Sequence, residues 1–311
     1  MKLLLTSVLW GILFMVSAQT PLVEKLMEEG IELYDLGKYD EAIARYEKAL
    51  SLHPRNMAAR YELAYTWYTK GNYDKAIEHS RIVVQADDDY WIDGVVIYGA
   101  SLENKGLSKR AVKVFEQGIA KRPDHPQLRY NAALSYFSLK QYALAEQYLS
   151  VSIENDRANP SAHLLMANTA LAQGDKNKCL MALYYFLLLE ADSERSAQAL
   201  VLLQSVAGHV MKSGQVEVAL PDGDGGTTAS EVDVHVKFTL GFLKYLEADK
   251  SKYSGFWRGK YVDFFSELYQ KGYGAPLAYF TIQSRHKQEM IDWSAANYKS
   301  FGAFVDWMSQ Q

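Results

Sequence analysis

The sequence predicts an all-α chain built mainly of stacked helix pairs, and three observations predict it. The first is self-similarity. Gly37-Lys38-Tyr39-Asp40-Glu41-Ala42 returns as Gly71-Asn72-Tyr73-Asp74-Lys75-Ala76, Gly106-Leu107-Ser108-Lys109-Arg110-Ala111, Lys140-Gln141-Tyr142-Ala143-Leu144-Ala145 and Gly174-Asp175-Lys176-Asn177-Lys178-Cys179, at offsets of 34, 35, 34 and 34. A fixed period of this size marks a repeat architecture. The second is helical spacing inside one copy: Leu26, Gly30 and Leu33 share a face, Gly37 to Asp40 form a tight turn, and Ala42, Tyr46 and Ala49 form the inner face of a second helix. The third is composition. With 49% hydrophobic and 23% charged residues and only 7 Pro and 20 Gly in 311, the chain is globular rather than disordered or collagen-like.

The elements follow in order. Lys2 precedes an apolar-dominated run from Leu3 to Met15, and Val16-Ser17-Ala18 places small residues where a signal peptidase cuts. The stretch is shorter than the roughly 20 residues that cross a bilayer core, so residues 1–18 are expected to be a cleaved secretory signal. No later stretch reaches the length of a span, and the mature chain is expected to be exported, periplasmic or secreted, with no integral membrane segment. Cys179 is the only cysteine, which leaves no intramolecular disulfide. It occupies the place that Ala42, Ala76, Ala111 and Ala145 hold in the other copies, so a small buried side chain is expected there.

Residues 19–213 read as five repeats and a closing helix. Gly30, Ala42 and Ala49, then Ala64 and Ala76, then Gly99 and Ala111, supply small residues where paired helices cross. Tyr46 and Phe115 place an aromatic on the second helix, and Pro54 and Pro123 close two of the copies. Length, small residues, aromatic and proline together resemble the tetratricopeptide repeat (TPR) family from about Val23 to Ser193. That resemblance implies a superhelix of helix-turn-helix pairs whose first helices line a concave groove, and it implies binding rather than catalysis. Glu194 to Met211 continues as an amphipathic helix through Ala197, Leu200, Val201, Gln204 and Gly208, either a cap for the exposed array end or a sixth degenerate repeat.

Carrying the family register over places Tyr34, Tyr61, Tyr65, Tyr68, Asn104, Tyr130, Phe137 and Asn168 on the groove side of the first helices, among Met27, Ile31, Leu134, Leu164 and Leu171. They are the expected partner-binding residues. A tyrosine stripe, in a chain with 22 tyrosines, offers large contact area with hydroxyl tips and suits an extended peptide or a partner helix. Packing between neighbouring repeats is the other reading of the same residues. TPR cochaperones that hold acidic chaperone tails use a clamp of Lys, Asn and Arg. The matching positions here hold Met27, Ile31, Glu62, Asp93 and Ile97, so that clamp is not expected.

Residues 214–229 read as a linker around Pro221-Asp222-Gly223-Asp224-Gly225-Gly226, with room for one short strand at 216–220. Asp222 and Asp224 fall short of a calcium loop, because Thr227 stands where the turn glycine is needed. Residues 230–311 read as a small, mainly helical domain. Over 230–242, Val232, Val234, Val236 and Phe238 alternate like a strand, whereas Ser230 followed by Glu231 and Asp233 reads as a helix N-cap, and helix is favoured. The aromatic run at Phe256 to Phe265 and the pairs Ile291-x-Trp293 and Phe304-x-x-Trp307 resemble the C-terminal region of uncharacterised exported bacterial TPR proteins, and imply a bundle docked on the repeats. Trp257, Trp293 and Trp307 raise an alternative function, a glycan-binding or glycan-processing envelope protein, against the reading of a packed aromatic core.

Chemistry is otherwise scarce. The seven histidines are scattered, and no zincin, phosphate-loop or nucleophile-elbow motif occurs, so no enzyme, metal or cofactor is expected. A net charge of −4 offers no general attraction to nucleic acid. The expectation is an exported TPR scaffold or adaptor that binds a protein or peptide partner in the cell envelope.

Overall fold

The computed structural model describes residues 21–214, 216 and 230–311, and the regular structure among them is entirely helical. The expected signal at 1–18, the calcium-like loop and most of the expected linker and strand lie outside the described residues. The chain divides into two compact units, residues 1–141 and 142–311.

In the first unit, α1 (described over residues 21–35), α2 (Tyr39–Leu52), α3 (Met57–Thr69), α4 (Tyr73–Ala86), α5 (Trp91–Asn104), α6 (Ser108–Lys121) and α7 (Pro126–Ser138) pack each on the next. The first helices of successive repeats also touch, α3 on α5 and α5 on α7. One turn recurs between the helices of each pair. Gly37, Gly71 and Gly106 take positive φ (72°, 76° and 72°), and Lys140 takes the same conformation at 59° without being glycine. The residue after each turn closes a six-residue ring back into the helix, as in Lys38 N–H to Leu33 C=O at 2.9 Å and Gln141 N–H to Tyr136 C=O at 2.9 Å. This cap satisfies carbonyls that the helix end leaves open. Asn56 and Asn72 cap the next helices by accepting from Ala59 N–H at 2.9 Å and Lys75 N–H at 3.2 Å.

The small residues do what the repeat pattern requires. Ala42, Ala64, Ala76 and Ala111 are fully buried. A Cβ on Gly30 would sit 2.4 Å from Tyr46 Cε1, and one on Gly99 would sit 2.2 Å from Phe115 Cζ, so each aromatic of the second helix lies directly beneath a glycine of the first.

The second unit holds α8 (Tyr142–Asn155), α9 (Pro160–Ala172), α10 (Lys176–Leu189), α11 (Glu194–Lys212) and α12 (Glu231–Ala248). A 3-10 turn (Lys250–Lys252), α13 (Gly255–Trp257), a π-turn (Arg258–Val262), α14 (Asp263–Gln270), α15 (Gly274–Thr281), α16 (Lys287–Ala296) and α17 (Tyr298–Met308) complete it. Residues 230–242 are helical as favoured. Ser230 caps α12 by accepting from Asp233 N–H at 3.1 Å, and the alternating valines are accommodated because Val232, His235, Phe238, Thr239 and Phe242 still fall on one buried face.

At the centre of this unit α10 is buried on every side from Cys179 to Leu188, packed by α9, α11, α15 and the π-turn. A helix apolar all round needs such a cover. Cys179 is buried, and burial with nearby Asp175 pushes its thiol up to about 12. The closing helix α11 buries Ala199, Leu200, Leu203, Val206, Ala207 and Val210. Of the five residues expected on its inner face only Leu200 is buried, and Val201 is 50% exposed. Apolar residues on both sides of α11 allowed a register rotated from the real one.

Candidate functional site

Five of the expected site residues, Tyr34, Tyr61, Tyr65, Tyr68 and Asn104, lie on α1, α3 and α5 of the first unit. The rings of Tyr34 and Tyr65 lie 5.3 Å apart, Tyr61 stacks on Tyr65 at 6.1 Å, and Tyr61 stacks in turn on Tyr90 at 5.9 Å. Helical spacing puts Tyr61, Tyr65 and Tyr68 on one side of α3. Tyr68 accepts a hydrogen bond from Asn104 Nδ2 at 3.2 Å, and the Tyr34 and Thr69 hydroxyls pair at 3.0 Å. Tyr39 and Tyr73, each the first residue of its helix after the turn, lie against Tyr34 at 5.2 Å and Tyr68 at 5.8 Å.

These rings are half-buried, with inner edges on Ala64, Ala76 and Ile97. One edge of the cluster therefore belongs to the core, and the other faces outward. Tyr130 and Phe137 are half-buried on α7 of the same unit, and Asn168 is half-buried on α9 of the second.

The electrostatics of this face are acidic. Glu62 carries a carboxyl pushed above its ordinary value, first by burial and then by the charges of Asp35 and Asp93. Burial, Asp93 and Glu62 push the Tyr61 phenol up to about 12, and the Tyr34 hydroxyl with burial does the same for Tyr65. The phenols are therefore neutral at any physiological pH. Four basic residues of the unit are engaged elsewhere, in Lys70–Asp40, Lys105–Asp74, Lys121–Asp87 at 2.7 Å and Arg45–Glu29 at 2.8 Å. Sequence reading noted Glu62 and Asp93 only as failures of a basic clamp. Their inward register was nevertheless the signal for an acidic face.

The C-terminal tryptophans do not assemble a sugar-stacking platform. Trp257 is buried, stacks on Tyr261 at 4.8 Å and donates its indole N–H to Glu146. Trp307 is buried, stacks on Phe264 at 5.3 Å and donates to Glu267 at 3.0 Å. Trp293 stacks on Tyr279 at 4.4 Å. Nor does His163 serve Cys179. Its Nε2 is 3.0 Å from the Arg157 carbonyl and must carry the proton, so Nδ1 accepts from the Tyr261 hydroxyl at 2.7 Å. Burial holds this imidazole at about 4, and it pins the C-terminal segment to α9. No group of His, Cys, Asp and Glu among the described residues is placed to hold a metal ion, and no helix among them is long and apolar enough to cross a membrane.

Paired helices at a 34-residue period, with outward aromatic rings on successive first helices, define a helical-repeat protein of the kind that generally acts as a scaffold or adaptor for protein binding. Tetratricopeptide-repeat family models match residues 27–90 and 106–169, and these stretches are tetratricopeptide repeats. It is 29% identical over 145 residues to the Vi polysaccharide export protein VexE of Salmonella typhi, a match that covers 45% of this chain and 22% of VexE. Two solved structures share its fold. PilW, a type IV pilus biogenesis factor, superposes with a TM-score of 0.55 at 18% identity, covering 76% of this chain and 96% of PilW. Pseudomonas aeruginosa PilF gives 0.54 at 18% identity, covering 80% of this chain and 99% of PilF.

Proposed function

We propose that this chain is an exported TPR scaffold that binds a protein or peptide partner in the cell envelope, through the groove side of α1, α3 and α5. The observation that carries the reading is the continuous cluster Tyr34–Tyr65–Tyr61–Tyr90, which runs from α1 over α3 to the residue that precedes α5, with its outer edges open. Rigid aromatic side chains with hydroxyl tips bind at low entropic cost, and they are enriched in the residues that dominate interface energies. Export is supported by the apolar run ending at Val16-Ser17-Ala18, and an envelope setting by the likeness of 145 residues of this chain to a polysaccharide export protein. Residues 230–311 serve in this reading as the cover of the array's end.

Pull-down from the native envelope with the full chain and with a Tyr61→Ala/Tyr65→Ala/Tyr68→Ala variant tests the proposal. The variant is expected to lose the partners that the native chain retains. An unchanged set of partners would sink the groove reading.

A further inference from the structure

Asp35, Glu62 and Asp93 come from α1, α3 and α5, and none has an ion-pair partner among the described residues, although Arg45, Lys70, Lys105 and Lys121 of the same unit pair with other acids. Glu62 is half-buried, with Asp35 and Asp93 as the acids whose charges act on it. Unscreened like charges at a partly buried place are unfavourable, and a folded chain keeps them where something else neutralises them.

An independent feature lies beneath. Tyr46 reaches from α2 under Gly30 of α1, is fully buried, and its hydroxyl has no hydrogen-bond partner in the structure. The ring meets the Gly30 position of α1 through Cε1, Cζ and Cδ1, one helical turn before Tyr34, and the charged groups that act on the hydroxyl are Glu62 and Asp35. Repeat three holds Phe115 in the equivalent place, so packing against the glycine does not require the hydroxyl. A buried polar group left without a partner is costly.

Carboxylates accept hydrogen bonds and do not donate them, and a phenol accepts as well as donates. A ligand that completes the set must bring several N–H donors and positive charge. An anionic segment is repelled and a neutral amide leaves the repulsion in place. A bare metal ion is poorly served, since no His, Cys, Asp and Glu group among the described residues is close enough to ligate one. Guanidinium or ammonium on an aliphatic stem fits, because the head meets the carboxylates while the stem and charge lie on ring faces.

We infer that the tyrosine-lined face of the first unit receives a cationic segment of its partner, with an arginine or lysine side chain lodged among Asp35, Glu62 and Asp93 and against Tyr61 and Tyr65. This rests on the groove reading and gives it a ligand chemistry.

The test is selection of a phage-displayed library of random dodecamers on the full chain, followed by titration of the selected peptides. Arginine and lysine are expected to be enriched. Glu62→Gln or Asp93→Asn, each nearly isosteric, is expected to weaken binding about tenfold or more, as for loss of one charge-assisted contact. Raising the salt concentration should weaken it further. Tyr46→Phe separates binding from folding: removing an unsatisfied hydroxyl should leave the urea midpoint unchanged or higher while binding weakens. Selected peptides that need Tyr61, Tyr65 and Tyr68, show no basic excess and ignore Glu62→Gln would overturn this inference and leave the groove reading intact. A library that yields no binder would overturn both.

Discussion

The closest approach in the repeats predicts that Gly99→Ala destabilises the first unit although alanine is the better helix former. The new Cβ would lie 2.2, 2.4 and 2.8 Å from Phe115 Cζ, Cε1 and Cε2, where carbon atoms normally rest about 3.5–4.0 Å apart. Phe115 is 1% exposed, so its ring has no open space to enter and must withdraw by about 1 Å together with α6. Overpacking of this kind costs about 1–3 kcal/mol, and the propensity gain of alanine returns about 1 kcal/mol. The net expectation is a loss of up to about 2 kcal/mol. Gly208→Ala is the control, since Gly208 lies within α11 and a Cβ there meets nothing within 4 Å, so that change should stabilise by about 0.5–1 kcal/mol. Urea midpoints by circular dichroism give the overall sign, and amide exchange in α5 and α6 localises it. In a Phe115→Leu background the penalty of Gly99→Ala should largely vanish, and the cycle measures the coupling. A Gly99→Ala chain stabilised as much as Gly208→Ala would refute the reasoning that the glycine is there for the ring.

Further outcomes follow from the same packing. Burial holds His163 and His235 at about 4 in the folded chain, below the ordinary 6.5. Between those values the unfolded chain takes up protons that the folded chain does not, so stability should fall as pH drops from 6.5 towards 4, by at most about 3 kcal/mol per histidine. Urea midpoints against pH should show the slope, and His163→Asn with His235→Asn should flatten it. The Cys179 thiol, pushed up to about 12, should resist a thiol reagent in the native chain and react with one equivalent in urea. Lys140→Gly should stabilise by about 1 kcal/mol, because Lys140 holds a φ of 59° in the turn where the other four repeats use glycine at Gly37, Gly71, Gly106 and Gly174, and thermal melts would show the rise.

The repeat architecture was legible because each copy writes its own geometry. A glycine at the left-handed turn, an alanine at the crossing and an aromatic under a glycine recur at fixed offsets, and five copies average out local noise. Helix α12 was harder, since its valines alternate by two while its buried face recurs at helical spacing, and the Ser230 cap decided it. The rotated register of α11 has a simple cause: apolar residues flank both faces, and only the neighbours decide which face is covered. The apolar run from Cys179 to Leu188 contains the information that α10 would be enclosed. Part of what encloses it comes from residues 50 or more positions away, as with Tyr184 bonded to Thr239 at 2.8 Å, and periodicity does not report such pairs. The acidic character of the tyrosine face was hidden for a similar reason. Asp35, Glu62 and Asp93 are separated by about one repeat each, and their mutual effect exists only once α1, α3 and α5 stand side by side.

The central claim is that the face of α1, α3 and α5 is where this protein meets its partner. A photo-crosslinking residue placed at exposed Thr69, beside the tyrosine cluster, and separately at exposed Lys113 on α6 puts that claim to a direct test in the native envelope. The account predicts a discrete crosslinked partner from position 69, competed away by a selected cationic peptide, and none from position 113. Equal labelling from the two positions, or labelling from 113 alone, would contradict it.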